Sequence, residues 1–256
     1  MNGPGEILPA SAARHGNKTA LVTPARTLTY DELDDLSNRL AASLGTIGVS
    51  PGDRVSIYSQ NRWEWIVAYH AALKAGGVVN PVNVMLTPEE LRYVMTDCGA
   101  SVLFASGDKL DALGGLGEEV ASLRQVVGFD PSPNATTAFA DLIGDPAPSS
   151  FTPQVAQPSD RSTIGYTSGT TGHPKGAVQS HQAVLLNCRA TARMHDRTEA
   201  DIVVTALPAP HVYGNVVINS TFLVGGTVVL MERFDPAQAL VTIDERAATM
   251  FEGVPA

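Results

Sequence analysis

Between Thr29 and Ala105 the chain alternates amphipathic helical stretches with short apolar runs of strand length, and this alternation constrains the fold more than any other feature. Thr29-Tyr30-Asp31-Glu32 has the form of a capping box, in which a threonine hydroxyl meets the third helical amide and a glutamate reaches back. Leu33, Leu36, Leu40 and Leu44 follow at helical spacing, and Gly48 stops the helix. Val55–Tyr58 reads as a strand, and Asn61 with Glu64 reads as the cap of a helix running to Gly76-Gly77. Val78–Asn80 is a short strand. Thr87-Pro88-Glu89-Glu90 starts another helix, with a cap residue, proline in the first turn and an acid at the third position. That helix runs to Asp97, and Ser101–Ala105 is a buried strand. Strands and helices in strict alternation predict an α/β fold of layered β-sheets with flanking helices.

The signals on either side agree with that class. Glu6–His15 predicts a short helix, and Ala20–Thr23 with Arg26–Thr29 a hairpin. From Gly107 to Ser159 glycines and prolines punctuate the chain, with one strand expected at Gln125–Gly128, and the region reads as peripheral and loop-rich. Further on, Ser180 caps a helix to about Met194, Ile202–Ala206 is a strand, and Asn215–Leu223 is an apolar helix after an irregular turn. Thr227–Met231 is a strand, Asp235-Pro236 starts a helix, and Thr249–Glu252 opens a last strand.

One stretch stands apart from this regularity. Tyr166-Thr167-Ser168-Gly169-Thr170-Thr171-Gly172-His173-Pro174-Lys175-Gly176 sits between two extended segments and concentrates glycine, hydroxyl side chains and a lysine. Glycines let backbone amides turn inward, hydroxyls donate further hydrogen bonds, and the lysine supplies charge, a composition suited to a polyphosphate. The pattern is neither of the two common phosphate loops. Lys175 follows Pro174 where the nucleotide-triphosphatase loop requires Gly-Lys-Ser/Thr, and Gly169, Gly172 and Gly176 are spaced by three and four rather than as Gly-x-Gly-x-x-Gly. Read alone, the stretch also fits a surface turn, and Lys175 a solvated lysine.

Charge narrows the partners. Net charge is −9, which argues against a general nucleic-acid binder. Only four lysines are present, Lys18, Lys74, Lys109 and Lys175, so the one in the glycine-rich stretch stands out. Cys98 and Cys188 have no metal-ligand spacing and read as small buried residues of a reducing, cytoplasmic compartment. No signal peptide is visible, and no apolar run approaches the roughly 20 residues of a membrane span. Trp63 and Trp65 read as packing, His181 as helix surface, and Asp31, Glu32, Asp34 and Asp35 as a solvated helix face.

The stretch Tyr166–Gly176 resembles the phosphate-binding signature of AMP-forming adenylating enzymes, the acyl-CoA synthetases, aryl-CoA ligases, luciferases and adenylation domains of peptide synthetases. The blocks Leu28–Leu33, Gly48–Val55, Lys74–Asn83, Leu86–Leu91 and Leu207–Gly214 are similar to those of the same family, in the family's order. Pro210 departs from it, standing where an aromatic residue is more usual. The resemblance implies the fold of the family's N-terminal domain and an acid–thiol ligase activity. ATP adenylates a carboxylate, fatty-acyl in the first reading, and coenzyme A then takes the acyl group. Thr167, Ser168, Gly169, Thr170, Thr171 and Gly172 would cradle the β,γ-phosphates, Lys175 would add charge there, and His211 would sit by the substrate carboxylate. A structural, partly buried histidine is the plain alternative for His211.

The same resemblance implies a partial large adenylation domain over residues 1–256, incomplete at the C-terminus. The Tyr-Gly-x-Thr-Glu block with its glutamate for Mg2+, the ribose-binding aspartate, the hinge and the small domain with its catalytic lysine find no counterpart here. No metal-binding residue is therefore expected among these 256, and the isolated chain is expected to be inactive, with an uncovered sheet edge. The alternatives are an aryl-CoA ligase or a peptide-synthetase adenylation domain. From a different class come a non-catalytic nucleotide-binding remnant and a split subunit completed by a separate chain.

Overall fold

The computed structural model describes residues 1–115, 119–148, 151–167 and 173–255. Among the described residues, twelve strands form two sheets. In chain order, β1 (Thr19–Val22) and β2 (Thr27–Thr29) are the expected hairpin, and α1 (Ile7–His15) precedes them. Next come α2 (Tyr30–Thr46), β3 (Arg54–Tyr58), α3 (Trp63–Lys74), β4 (Val78–Pro81), α4 (Pro88–Cys98), β5 (Ala100–Ala105) and α5 (Gly107–Leu113). The region expected to be loop-rich adds β6 (Gln125–Gly128), β7 (Thr137–Ala138) and α6 (Phe139–Gly144). The second half supplies β8 (Arg161–Thr167), β9 (Lys175–Ser180), α7 (His181–Met194), β10 (Ile202–Thr205), α8 (Val212–Val224), β11 (Thr227–Leu230), α9 (Pro236–Glu245) and β12 (Met250–Glu252).

The larger sheet has the order β7-β6-β5-β3-β4-β8-β9, and the smaller one β12-β10-β11-β1-β2. Each sheet is parallel except for one antiparallel strand at an edge, β9 in the larger and β2 in the smaller. A parallel sheet needs both faces covered, and the side chains show how this is done. Val102 and Phe104 of β5 point into the central core with Val55 and Ile57, whereas Leu103 and Ala105 point to the other face and meet Leu91 and Met95 of α4 and Leu110 of α5. The same two-residue alternation sends Val228 and Leu230 of β11 into the central core and Val229 outward against Ala239 of α9. The central layer between the sheets is built from α2, α3 and α8.

Local chemistry explains the ends of these elements. Both predicted capping boxes form: the Thr29 and Thr87 hydroxyls accept from the Glu32 and Glu90 amides at 3.2 and 3.3 Å, and each glutamate accepts in return at 2.8 Å. Helix α3 is buried on every side from Glu64 to Lys74, the mark of a helix enclosed by the fold. Its last residue, Lys74, reaches the Asp34 carboxylate at 2.7 Å, the Ser37 hydroxyl at 2.6 Å and the Asn38 side chain at 2.8 Å.

Several expectations are corrected here. Asp34 is not simply solvated, because it neutralises buried Lys74. Asn61 does not cap α3; Arg62 takes that position without a side-chain bond and pairs instead with Glu64 and Asp130. Phe139 and Leu142 of the region read as peripheral enter the central core. His181 is buried rather than on the surface, and that burial lowers its pKa. Helix α8 begins at Val212, three residues before the predicted start.

Candidate active site

Strand β8 lies parallel beside β4, so its end at Thr167 falls at the carboxyl edge of the larger sheet, where α/β folds place their ligand-binding loops. Strand β9 returns antiparallel, with Tyr166 opposite Gly176 and Thr167 opposite Lys175. Two of the seven predicted phosphate ligands, Thr167 and Lys175, thus face each other across the open end of a two-stranded ladder, and both are exposed. Ser168, Gly169, Thr170, Thr171 and Gly172 lie outside the described residues. Gly176 has a clear reason to be glycine. A Cβ there would stand 3.0 Å from the Ile164 side chain and 3.1 Å from the Tyr166 ring.

Strand β9 runs directly into α7, whose N-terminus is capped by the Ser180 hydroxyl accepting from the Ala183 amide at 3.2 Å. Helix α8 packs along α7 and carries His211 at its own N-cap. The His211 Nδ1 accepts from the Tyr213 amide at 3.2 Å. An accepting Nδ1 places the proton of the neutral ring on Nε2, inferred here from heavy-atom geometry. His211 therefore presents an exposed N–H donor beside the positive end of a helix.

This helix start is held by residues that sequence reasoning missed. The Asn61 side chain donates to the Leu207 and Met231 carbonyls at 3.0 and 2.9 Å and accepts from the Ala209 amide at 2.8 Å. It ties the turn before His211 to the end of β11. Gly214 lets that turn fold back on the helix, because a Cβ there would be 2.2 Å from the Pro208 carbonyl oxygen. Tyr213 is fixed from the far side, its hydroxyl donating to the Glu252 carboxylate at 2.5 Å. That bond, followed by burial, raises the Tyr213 pKa. Glu252 is itself buried and held by Arg197 and by His195 Nδ1 at 3.1 Å. No sequence signal marks Asn61, Arg197 or Glu252 for these tasks, since their partners lie far along the chain.

A narrow cleft of about 30 Å³ lies between the hairpin and α8, and Thr167, Lys175 and His211 are not on its lining. It is lined by Thr163 and Gly165 of β8, Gln179 of β9, Val184 of α7, and Val212 and Val216 of α8. The fold thus brings the β8–β9 hairpin and the helix that His211 caps to opposite walls of one cleft, with Pro210 and Val212, the neighbours of His211, on its lining. Among the described residues no three His, Cys, Asp or Glu side chains converge as a metal site. Cys98 and Cys188 take no part. Burial pushes their thiols up to about 11 and about 12.

The chain is similar to known proteins along nearly its whole length. The AMP-binding enzyme family matches over residues 8–256. The chain is 31% identical to a long-chain-fatty-acid–CoA ligase of Bacillus subtilis over 97% of its own length, and 32% identical to an indoleacetate–CoA ligase of Aromatoleum aromaticum over 98%. It covers 50% and 49% of those two proteins, so it spans about half the length of the curated relatives it matches. Among solved structures, ATP-bound MatB of Rhodopseudomonas palustris superposes with a TM-score of 0.87 at 29% identity, over 99% of this chain and 49% of that one.

Proposed function

The chain belongs to the AMP-binding enzyme family, and from that premise we propose that it carries the phosphate and carboxylate ends of an AMP-forming acyl-CoA synthetase site. In this reading a carboxylate oxygen attacks the α-phosphorus of ATP, the bond to the bridging oxygen breaks, and pyrophosphate leaves with the electron pair. Coenzyme A thiolate then displaces AMP from the acyl-adenylate. Charge gathers on the departing β,γ-phosphates, and preorganised donors there lower the barrier. Thr167, Lys175 and the intervening Ser168–Gly172 are assigned to those phosphates. His211 is assigned to the carboxylate, with its Nε2–H donating to one oxygen while the other faces phosphorus, an arrangement that works by orientation.

The observation that supports this reading is the pairing of Thr167 with Lys175 at the mouth of the β8–β9 hairpin, whose inner residues Thr163, Gly165 and Gln179 share a cleft with the start of the helix that His211 caps. The B. subtilis relative's name supports a fatty-acyl substrate. A compact aryl acid is the second reading, supported by the A. aromaticum relative.

Two measurements test the proposal. ATP should raise the unfolding temperature of this chain, and Lys175→Ala should abolish the rise. Carboxylate-dependent exchange of labelled pyrophosphate into ATP, run over fatty and aryl acids on the enzyme in which this chain is joined to the remaining length of its relatives, should respond to one class. Exchange with no acid, alongside intact ATP stabilisation, would reduce the assignment to a nucleotide-binding module. No stabilisation by ATP would remove the phosphate assignment itself.

A further inference from the structure

Both arms of the hairpin are held by a single helix outside the site. On the β8 arm the Tyr166 hydroxyl donates to the Asp97 carboxylate. On the β9 side the His173 ring stacks on Tyr93, with centroids 4.8 Å apart and planes 21° from parallel. Tyr93 and Asp97 are four residues apart on α4 and so present adjacent side chains on one face. The opposite face of α4 is the one that holds the fold together, with Leu91, Val94 and Met95 buried. Tyr93 is half-buried and Asp97 exposed, so neither residue is part of the core. A Cβ at Gly176, the partner of Tyr166 across the ladder, would stand 3.1 Å from the Tyr166 ring.

The geometry points to α4 as a strut for the hairpin, with Tyr93 and Asp97 as positioning residues that hold its open end at a set separation before a ligand arrives. Donors fixed in advance lose less freedom when an anion binds, and need no rearrangement as charge develops on it. The assignment of that anion as a polyphosphate rests on the function proposed above, whereas the strut rests on contacts of the chain itself. His173 is the imidazole within the glycine-rich stretch Tyr166–Gly176. Its partner is Tyr93.

Hydrogen exchange without nucleotide separates the two ideas. Tyr93→Ala and Asp97→Ala, alone and combined, leave the core untouched, and Tyr93→Phe keeps the stacking ring. In the double variant, exchange in residues 164–167 and 175–178 should accelerate about tenfold, the scale of one lost hydrogen bond to a charged group. Exchange in residues 161–163 and 179–180, at the closed end of the same ladder, should not change, and Tyr93→Phe should match the parent chain. Unchanged exchange at the open end would overturn the strut. So would equal acceleration along the whole ladder, or a Tyr93→Phe variant as fast as Tyr93→Ala. Adding ATP to the parent chain then tests the ligand. Slower exchange at the open end supports the polyphosphate reading, whereas no effect of ATP, with the variants still faster, upholds the strut and removes that reading.

Discussion

Replacing Asn61 by alanine should be far more damaging than its place in a short loop suggests. Its side chain makes three hydrogen bonds, to the Leu207 and Met231 carbonyls and from the Ala209 amide, and all three partner residues are buried. At about 1 kcal/mol net for each bond, and more where a buried partner is left without one, the loss comes to about 3–5 kcal/mol. For a chain of this size that corresponds to a fall in unfolding temperature of about 10 °C. The urea midpoint should drop with its slope unchanged, because the native surface stays the same. Asn61→Asp should be worse than alanine at neutral pH, since a carboxylate would face two carbonyl oxygens in place of the amide donors. Its folded-state pKa would be raised above the unfolded value, so the unfolded chain would release the proton first. The variant should therefore lose stability as pH rises through the unfolded carboxyl pKa and become steady above the folded one. A loss below about 1 kcal/mol for Asn61→Ala would refute the claim that this side chain holds the turn before His211.

Two further outcomes follow from packing. His70 is wholly buried, and burial, with Lys74 nearby, lowers its pKa to about 3. The unfolded chain takes up a proton there below its ordinary value of 6.5, while the folded chain does not. Stability should thus fall with acid by about 1.4 kcal/mol per pH unit within that window, and a His70→Leu variant titrated with urea should lack this component. Gly214→Ala should cost about 3 kcal/mol, because its Cβ meets fixed backbone. Gly165→Ala, with nothing within 4 Å of the added methyl, is the matched control, expected to change stability by less than about 1 kcal/mol in the same experiment.

The elements were legible because their signals are local. A capping box, a leucine repeat or an Asp-Pro start acts within one or two helical turns, and those at Thr29, Thr87, Ser180 and Asp235 all form bonds in the structure. Asn61 and Asp34 were misread because each had a distant partner available. Asn61 stands three residues before Glu64, the spacing of a capping box, yet it bonds to residues more than a hundred positions away. His211 was read in a turn before the helix, whereas its imidazole caps the helix itself and moves the start to Val212.

By itself the sequence determined the α/β class, most elements outside residues 107–159 and the stretch Tyr166–Gly176, because periodicity, caps and motif order are properties of neighbouring residues. Only the tertiary structure decided that Thr167 pairs with Lys175 at the mouth of a hairpin and that Tyr93 and Asp97 hold its two sides. It also decided that Lys74 is buried on Asp34 and that Glu252 fixes Tyr213. These pairings depend on the register of strands and the crossing of helices. Burial then strengthens each polar contact and makes an unpaired group costly, so the partner of a buried side chain follows from the packing of the whole.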